Sequence, residues 1–329
     1  MRIARVAHPG GEDFAVMEEA GFRLIEDPFR TGARNLQTLS RELVPADDVR
    51  LLAPVTPRTV VGMAHNTGPA DRLLPPEAFL KPARSVIGPE DWIELPGQVG
   101  RIDGEAELAA VIGADGQVFG WTLANDVTAR DLQSTDARWA QAKGYATFTP
   151  CGPWIETELA PDTVDLELVL DGRPLGAADN RGLARSAHEI LDHLAGFVPL
   201  GAQDLVLLGA PGPYGPLVPG TSVSVRCPQL GTLRNPVTIW AVVVGNDVYV
   251  RAAYGRTSPW FRGTQSRHEG HFRAGSLAQD VTFEDAPADL KDAIDAAYRK
   301  KYHRYPGSLA PMIEEPARDA GLRLVPKEA

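Results

Sequence analysis

Cysteine is scarce in this chain: Cys151 and Cys227 are the only two among 329 residues. Two thiols so far apart give neither a disulfide framework nor a zinc spacing, and a reducing cytoplasm is the expected setting. Long apolar runs are missing as well. No stretch approaches the roughly eighteen consecutive apolar residues of a membrane span, and the opening MRIARVAHPGGEDF has no signal-peptide core. Positive charge is in deficit, with 33 Lys and Arg against 43 Asp and Glu and a net charge of −10. That balance argues against a nucleic-acid groove and against binding to an anionic membrane. Internal repeats and low-complexity tracts are absent too. What remains is a chain of 43% hydrophobic and 23% charged residues, long enough for two cored domains.

The most informative stretch is residues 103–133, DGEAELAAVIGADGQVFGWTLANDVTARDLQ. Two β-rich runs flank Asp115-Gly116, a strong short-range hairpin signal. If those two residues form a type I′ turn, Glu105 faces Asp126 and Glu107 faces Ala124. Alternation along strands then puts Glu105, Glu107 and Asp126 on one face, within roughly 5–7 Å of one another. Three anions that close repel unless a cation sits between them, and oxygen-only ligands suit Mg²⁺, Mn²⁺ or Ca²⁺. On spacing alone, a solvated acidic face is an equal alternative.

Several neighbours have the chemistry to serve such a centre. If a helical turn follows Asp126, Arg130 and Gln133 face one way and set a carboxylate-binding fork and an amide beside the cation. Lys143 precedes a turn containing glycine and threonine. Buried beside a divalent cation it would have a lowered pKa and carry protons, and a surface lysine is the alternative. His65 follows the apolar run TVVGMA and is a candidate acid or base, against a backbone-bonded strand-end histidine. Residues 68–96 read as a proline-rich loop, a lid or a wrapped segment, from which Lys81 and Ser85 can reach a substrate carboxylate. A second hairpin is expected at Asp171-Gly172, followed by a helix in ARSAHEILDHLAGF. His188 and His193 on that helix are five residues apart and point about 140° from each other, which rules out a zincin motif.

Residues from about 50 to 236 resemble the fumarylacetoacetate hydrolase superfamily. The resemblance is carried in order by LLAPVTPRTVVGM, AFLKPARSVIGP, EAELAAVIG, GWTLANDVTARDLQ, AKGYATFTPCGPW, LVLLGAPG, and LVPG with GTLRNPV. It implies an α+β, mainly β fold: a mixed β-roll catalytic domain over 58–236 behind a small N-terminal β module over 1–57, usually as a homodimer. It also implies a divalent cation on Glu105, Glu107 and Asp126, a substrate-binding pair in Arg130 and Gln133, and an active-site lysine in Lys143 with Thr147 nearby. The implied substrate is a small 2-oxo acid whose enolate the metal stabilises. Two features depart from the hydrolytic members, which carry an asparagine-tyrosine pair and then a His…Glu dyad in a lid helix. Here the stretch reads GMAHNTGPADR, with His65 where the family more often has tyrosine. The short spacing from Glu107 to Asp126 is similar to that of members dehydrating 2-keto-3-deoxy sugar acids.

From about residue 233 the chain resembles the bacterial domain of unknown function 2255, expected as a separate small β-barrel-like domain over 237–329. Arg251, Tyr254, Trp260, Arg262 and His268 are candidates for an anion or cofactor site there. A structural or dimer-forming appendage is the first reading of this tail, and a bound flavin the lesser one. For the whole protein, the leading expectation is acylpyruvate-type C–C hydrolysis through a metal-stabilised enolate. The alternatives are dehydration of a 2-keto-3-deoxy sugar acid, decarboxylation or tautomerisation of oxaloacetate, and a non-catalytic small-acid-binding protein.

Overall fold

The computed structural model describes residues 1–31, 39–96, 99–274 and 277–327. Its centre is a large mixed sheet. The main path runs Leu39–Val44, Gly21–Ile25, Gly11–Glu18, Arg2–His8, Thr149–Glu156, Val118–Asn125, Ile102–Ile112, Leu205–Leu207, Val60–Ala64 and Glu77–Lys81. The N-terminal strands therefore extend the central sheet, with Arg2 opposite Glu156. Most neighbours are antiparallel, but Leu205–Leu207 runs parallel to Val60–Ala64.

The strand Ile102–Ile112 is buried at every position. Ala106, Leu108, Ala110 and Ile112 face the main core, while Ala109 and Val111 join Ala124 in a second cluster on the opposite side. A one-residue slip would exchange the two faces, and each buried Leu or Ile is worth about 1.5–3 kcal/mol, so the register is fixed. Glu105 and Glu107 continue the second face, which changes from apolar to acidic at Glu107.

The return strand, Val118–Asn125, pairs as expected, but for a different reason. The tip is wider than a two-residue turn: Gly113 N–H donates to the Gln117 carbonyl at 2.7 Å, and Gly116 adopts φ +76°. That loop alone displaces the register by one residue. A bulge between Val118 and Gly120 restores it, so Ala124 faces Glu107 and Asp126 N–H donates to the Glu105 carbonyl at 3.0 Å. The second hairpin has the expected tight turn, with Asp171 at φ +47° and Gly172 at φ +79°. It joins Ser222–Cys227 and Gly231–Pro236 in a four-stranded sheet.

Residues 68–96 are not loop throughout. Glu77–Lys81 is a strand on Val60–Ala64, with Lys81 opposite Val60. Pro75, Pro76 and Pro82 bracket this strand, so their density signals its ends and hides its middle.

The C-terminal region is a five-stranded antiparallel sheet in the order Ala241–Val244, Asp247–Arg251, Gly321–Pro326, Leu277–Asp285, Glu269–Ala274. Among the described residues its ladders stay open, so the barrel-like expectation reduces to an open sheet carrying the helices Pro259–Arg267 and Lys291–Tyr302. Trp240, Tyr249, Ile294, Tyr298 and Tyr302 belong to the same apolar cluster as Leu108 and Leu123. The Trp240 and Tyr302 rings stack at 4.0 Å, and the Tyr298 hydroxyl donates to the Trp240 carbonyl at 2.8 Å. The C-terminal region thus shares the main core. No helix among the described residues is long and apolar enough to cross a membrane.

Candidate metal centre

Glu105 and Glu107 project from the central strand, and Asp126 stands just past the end of its partner. Each offers a carboxylate oxygen, and these oxygens lie within 4.8 Å of one another. Relative exposures of 6%, 2% and 1% rule out the solvated acidic face. Three carboxylates in so dry a place require compensating charge.

The protein supplies that charge from three directions. Lys81 Nζ donates to Asp126 Oδ1 at 2.5 Å and to the Val127 carbonyl at 3.3 Å. Lys143 Nζ donates to Asp126 Oδ2 and, at 3.0 Å, to Glu105 Oε2. Arg130 pairs through Nη2 with Glu105 and through Nε with Asp103 Oδ2 at 3.0 Å. Arg101 completes the neutralisation of Asp103, Nε to Oδ1 at 2.7 Å. Glu107 is the exception. Its partner is the Gly209 backbone amide, at 2.7 Å from Oε2.

The pKa directions follow this inequality. Burial, with Asp126 and Glu105 adding repulsion, pushes the Glu107 carboxyl well above the usual carboxylate range. Burial works the same way on Asp126, but Lys143 and Lys81 overcome it and hold that carboxyl low. Without a cation, the two lysines differ in direction. Burial lowers Lys81 despite Asp126, whereas Asp126 and Glu105 overcome burial at Lys143 and raise it. The lowered lysine in this structure is Lys81, because Lys143 touches two carboxylates and Lys81 one.

A hard, all-oxygen donor set, clustered, buried and short of positive charge at Glu107, fits a divalent cation. Around it, Arg130 and Gln133 lie on the short helix Arg130–Gln133 and bond to each other, Nη1 to Oε1 at 2.8 Å. The Tyr214 ring sits 4.4 Å from the Arg130 guanidinium carbon. Lys143 Nζ lies 4.8 Å from the Phe79 ring and 5.8 Å from Trp139. Lys81 is a buried strand residue spent on Asp126 rather than a loop residue free for substrate. Ser85 is likewise committed, its hydroxyl 2.7 Å from that of Thr149. The Thr147 hydroxyl accepts from Glu94 N–H at 2.9 Å and donates to the Ala146 carbonyl at 2.6 Å. His65 stands in the outer wall, its Nε2 3.7 Å from Glu77 Oε2 and its ring 5.9 Å from that of Trp139.

Sequence reasoning missed two supports. Asn66 is fully buried; its amide donates to the Leu208 carbonyl at 2.7 Å and accepts from Arg185 N–H at 2.7 Å. This holds the turn that aims the Gly209 amide at Glu107. A Cβ on Gly209, at φ +107°, would lie 2.3 Å from the Asn66 carbonyl oxygen, so only glycine fits. Asp103, the other, anchors Arg130 and Arg101. The only sequence hint for Asn66 was an amide-bearing side chain directly after an apolar strand, and turns commonly explain that pattern.

Residues 57–238 match the fumarylacetoacetate (FAA) hydrolase C-terminal family, and residues 1–54 the Rv2993c-like N-terminal family. Residues 222–324 match a family described as an uncharacterized protein conserved in bacteria, DUF2255. Protein Rv2993c of Mycobacterium tuberculosis is 37% identical over 268 residues, 72% of this chain and 98% of that one. Oxaloacetate tautomerase FAHD2A of Bos taurus mitochondria is 30% identical over 224 residues, 59% of this chain and 71% of that one. Among solved structures, a 5-carboxymethyl-2-hydroxymuconate delta-isomerase from Mycobacterium smegmatis has a TM-score of 0.66 at 34% identity, over 72% of this chain and 99% of its own. A 2-keto-3-deoxy-D-arabinonate dehydratase complexed with magnesium and 2,5-dioxopentanoate shares the fold at a TM-score of 0.64 and 22% identity, with coverages of 72% and 99%. By the extent of these matches, the chain belongs to the fumarylacetoacetate hydrolase family and carries a C-terminal region of the DUF2255 family.

Proposed function

We propose that the protein is a divalent-metal-dependent enzyme that shifts a proton on a small 2-oxo acid, interconverting its keto and enol forms or isomers. The supporting observation is the set of groups bonded to the three carboxylates. Among the described residues these are Lys81, Lys143, Arg130 and the Gly209 amide. Such a set can anchor an anion and pass a proton, but it contains no histidine to activate water. A cation held by Glu105, Glu107 and Asp126 supplies Lewis-acid stabilisation of negative charge on the substrate. Arg130, steadied by Gln133 and Asp103, orients the substrate carboxylate. Lys143 holds at Nζ the proton exchanged with the carbon next to the oxo group, and Phe79 and Trp139 keep bulk water from it. Lys81 fixes Asp126. The isomerase and tautomerase names of two relatives agree with this reading.

Acylpyruvate-type C–C hydrolysis is the second reading, favoured by the His65–Glu77 pair at 3.7 Å, the arrangement of a base for water. One experiment separates them. Oxaloacetate, an acylpyruvate and a 2-keto-3-deoxy acid are each incubated with Mg²⁺, with enol absorbance and cleavage or dehydration products followed separately. Metal-dependent keto–enol exchange that falls by about 10²–10⁴ in Lys143→Met is the expected result. Cleavage lost in His65→Ala, with no exchange, would replace the first reading by the second. Absence of any turnover would leave a small-acid-binding protein.

A further inference from the structure

A cavity lies at the joint between the two matched regions, and none of the triad carboxylates lines it. It measures about 500 Å³ and is bounded on one side by the Asp171 hairpin tip, Gly220 and Arg234, on the other by the C-terminal sheet. That volume falls in the range of small-molecule sites, roughly 300–1,000 Å³. Most of its C-terminal wall is apolar, including Ile239, Phe272, Phe283 and Leu324.

Two polar groups lining this cavity, one from each side, lack partners. Asp171 is 9% exposed, and among the described residues its carboxylate has no hydrogen-bond or ion-pair partner. The Trp260 indole N–H is buried and donates to nothing. Gly220, at φ +73°, leaves room beside that N–H: a Cβ there would stand 3.2 Å from Nε1. Native interiors rarely leave buried polar groups unpaired, and an acceptor and a donor unpaired in one cavity suggest that a ligand completes them. Charge at the rim narrows its chemistry. Arg234 is spent on Glu90, whereas Arg267 lines the cavity with no ion-pair partner among the described residues.

We propose that this cavity binds a small aromatic amine or aromatic amino acid. Its ring lies against Phe272, Phe283 and Leu324, its ammonium meets Asp171, and a carboxylate, where present, meets Arg267 and the Trp260 N–H. Flat apolar bodies suit an aromatic wall, and a desolvated carboxylate selects for an N–H donor over an acid. The inference does not depend on the reaction at the triad.

The test is calorimetric titration of the full-length protein with L-tryptophan, tryptamine and indole-3-acetate as probes. Tryptamine and L-tryptophan should bind, with indole-3-acetate at least tenfold weaker. Asp171→Asn, which keeps a residue tolerant of positive φ at the turn, should remove most of that preference while circular dichroism stays unchanged. Trp260→Phe, which keeps the ring but not the N–H, should weaken L-tryptophan more than tryptamine. Silence from all three probes, binding of the acid as tight as the amines, or a preference that survives Asp171→Asn would overturn the proposal.

Discussion

The protein buries two dense groups of charge, and they are built on opposite plans. Around the triad, three carboxylates share three cations unevenly, and Glu107 is left with one backbone amide. In the C-terminal region, Arg251 and Asp295 are 1% and 3% exposed and meet directly, Nη1 to Oδ1 at 2.5 Å. The Met312 and Lys291 carbonyls take further guanidinium protons at 3.0 and 3.1 Å, and Arg318 stands 3.5 Å from Asp295 Oδ2. The second cluster holds one aspartate between two arginines and fastens a helix to a sheet. In the first, carboxylates and cations are equal in number, but among the described residues none of the cations pairs with Glu107. Both are buried, so what separates a candidate binding centre from a structural tie is which group lacks a partner. Arg251, a candidate for an anion site in the sequence, is occupied in this way by its own fold.

Replacing Glu107 should sharpen that contrast most. Glu107→Gln keeps an acceptor for the Gly209 amide while removing a ligand charge. It should abolish the metal-dependent rise in melting temperature, a loss of about 2.7 kcal/mol at a metal concentration a hundredfold above Kd. The metal-free variant should be no less stable than the parent, because burial, with Asp126 and Glu105 adding repulsion, already holds the carboxyl it replaces high. Calorimetric Mg²⁺ or Mn²⁺ affinity equal to that of the parent would remove Glu107 from the ligand set.

Asp295→Ala tests the other side. It strands the Arg251 guanidinium and should cost about 3–5 kcal/mol in urea unfolding, with Mg²⁺ affinity at the triad unaltered. Replacing both residues, as Arg251→Met with Asp295→Leu, should restore most of the loss, since a matched buried pair can be exchanged for apolar packing. No recovery in the double variant would mean that the pair does more than tie the helix down.

The two Asp-Gly hairpins explain how far the sequence could be read. At Asp171-Gly172 the dipeptide forms the tight turn it advertises. At Asp115-Gly116 the chain uses a wider loop and then a bulge at Phe119, and the two deviations cancel. Placing Glu105, Glu107 and Asp126 together was sound because core packing, rather than the turn, decides the register. The carboxylate triad was therefore legible from alternation, and Arg130 with Gln133 from helical spacing. Lys81 was misread because prolines on both sides resemble a loop, and Asn66 because its work is done on backbone atoms 119 to 142 residues away. The sharing of one core by the tail and the catalytic-type region was equally hidden. Contacts such as the Arg173 guanidinium over the Tyr254 ring leave no periodic trace across the intervening chain.

Asp171 stands between the two plans, a buried charge whose carboxylate has no hydrogen bond or close ion pair among the described residues, and it predicts the smallest effect. Burial raises its carboxyl above the usual aspartate range, against the pull of Arg173, Arg234 and Arg262, with Tyr254 also nearby. A carboxyl raised in the folded state favours folding only while protonated. Stability is thus fully kept below the unfolded aspartate value, near 3.9, and is given up as pH climbs through the raised folded one. Asp171→Asn has no proton to lose. Its melting temperature should exceed the parent's at neutral pH, and the gap should close as pH falls toward the unfolded value. Adding a saturating aromatic amine should also close the gap at neutral pH, by giving the parent's carboxylate the counter-charge it lacks. A gap that widens in acid would show that Asp171 is stabilised as the anion by its three arginines, and would move it to the matched class of Arg251 and Asp295.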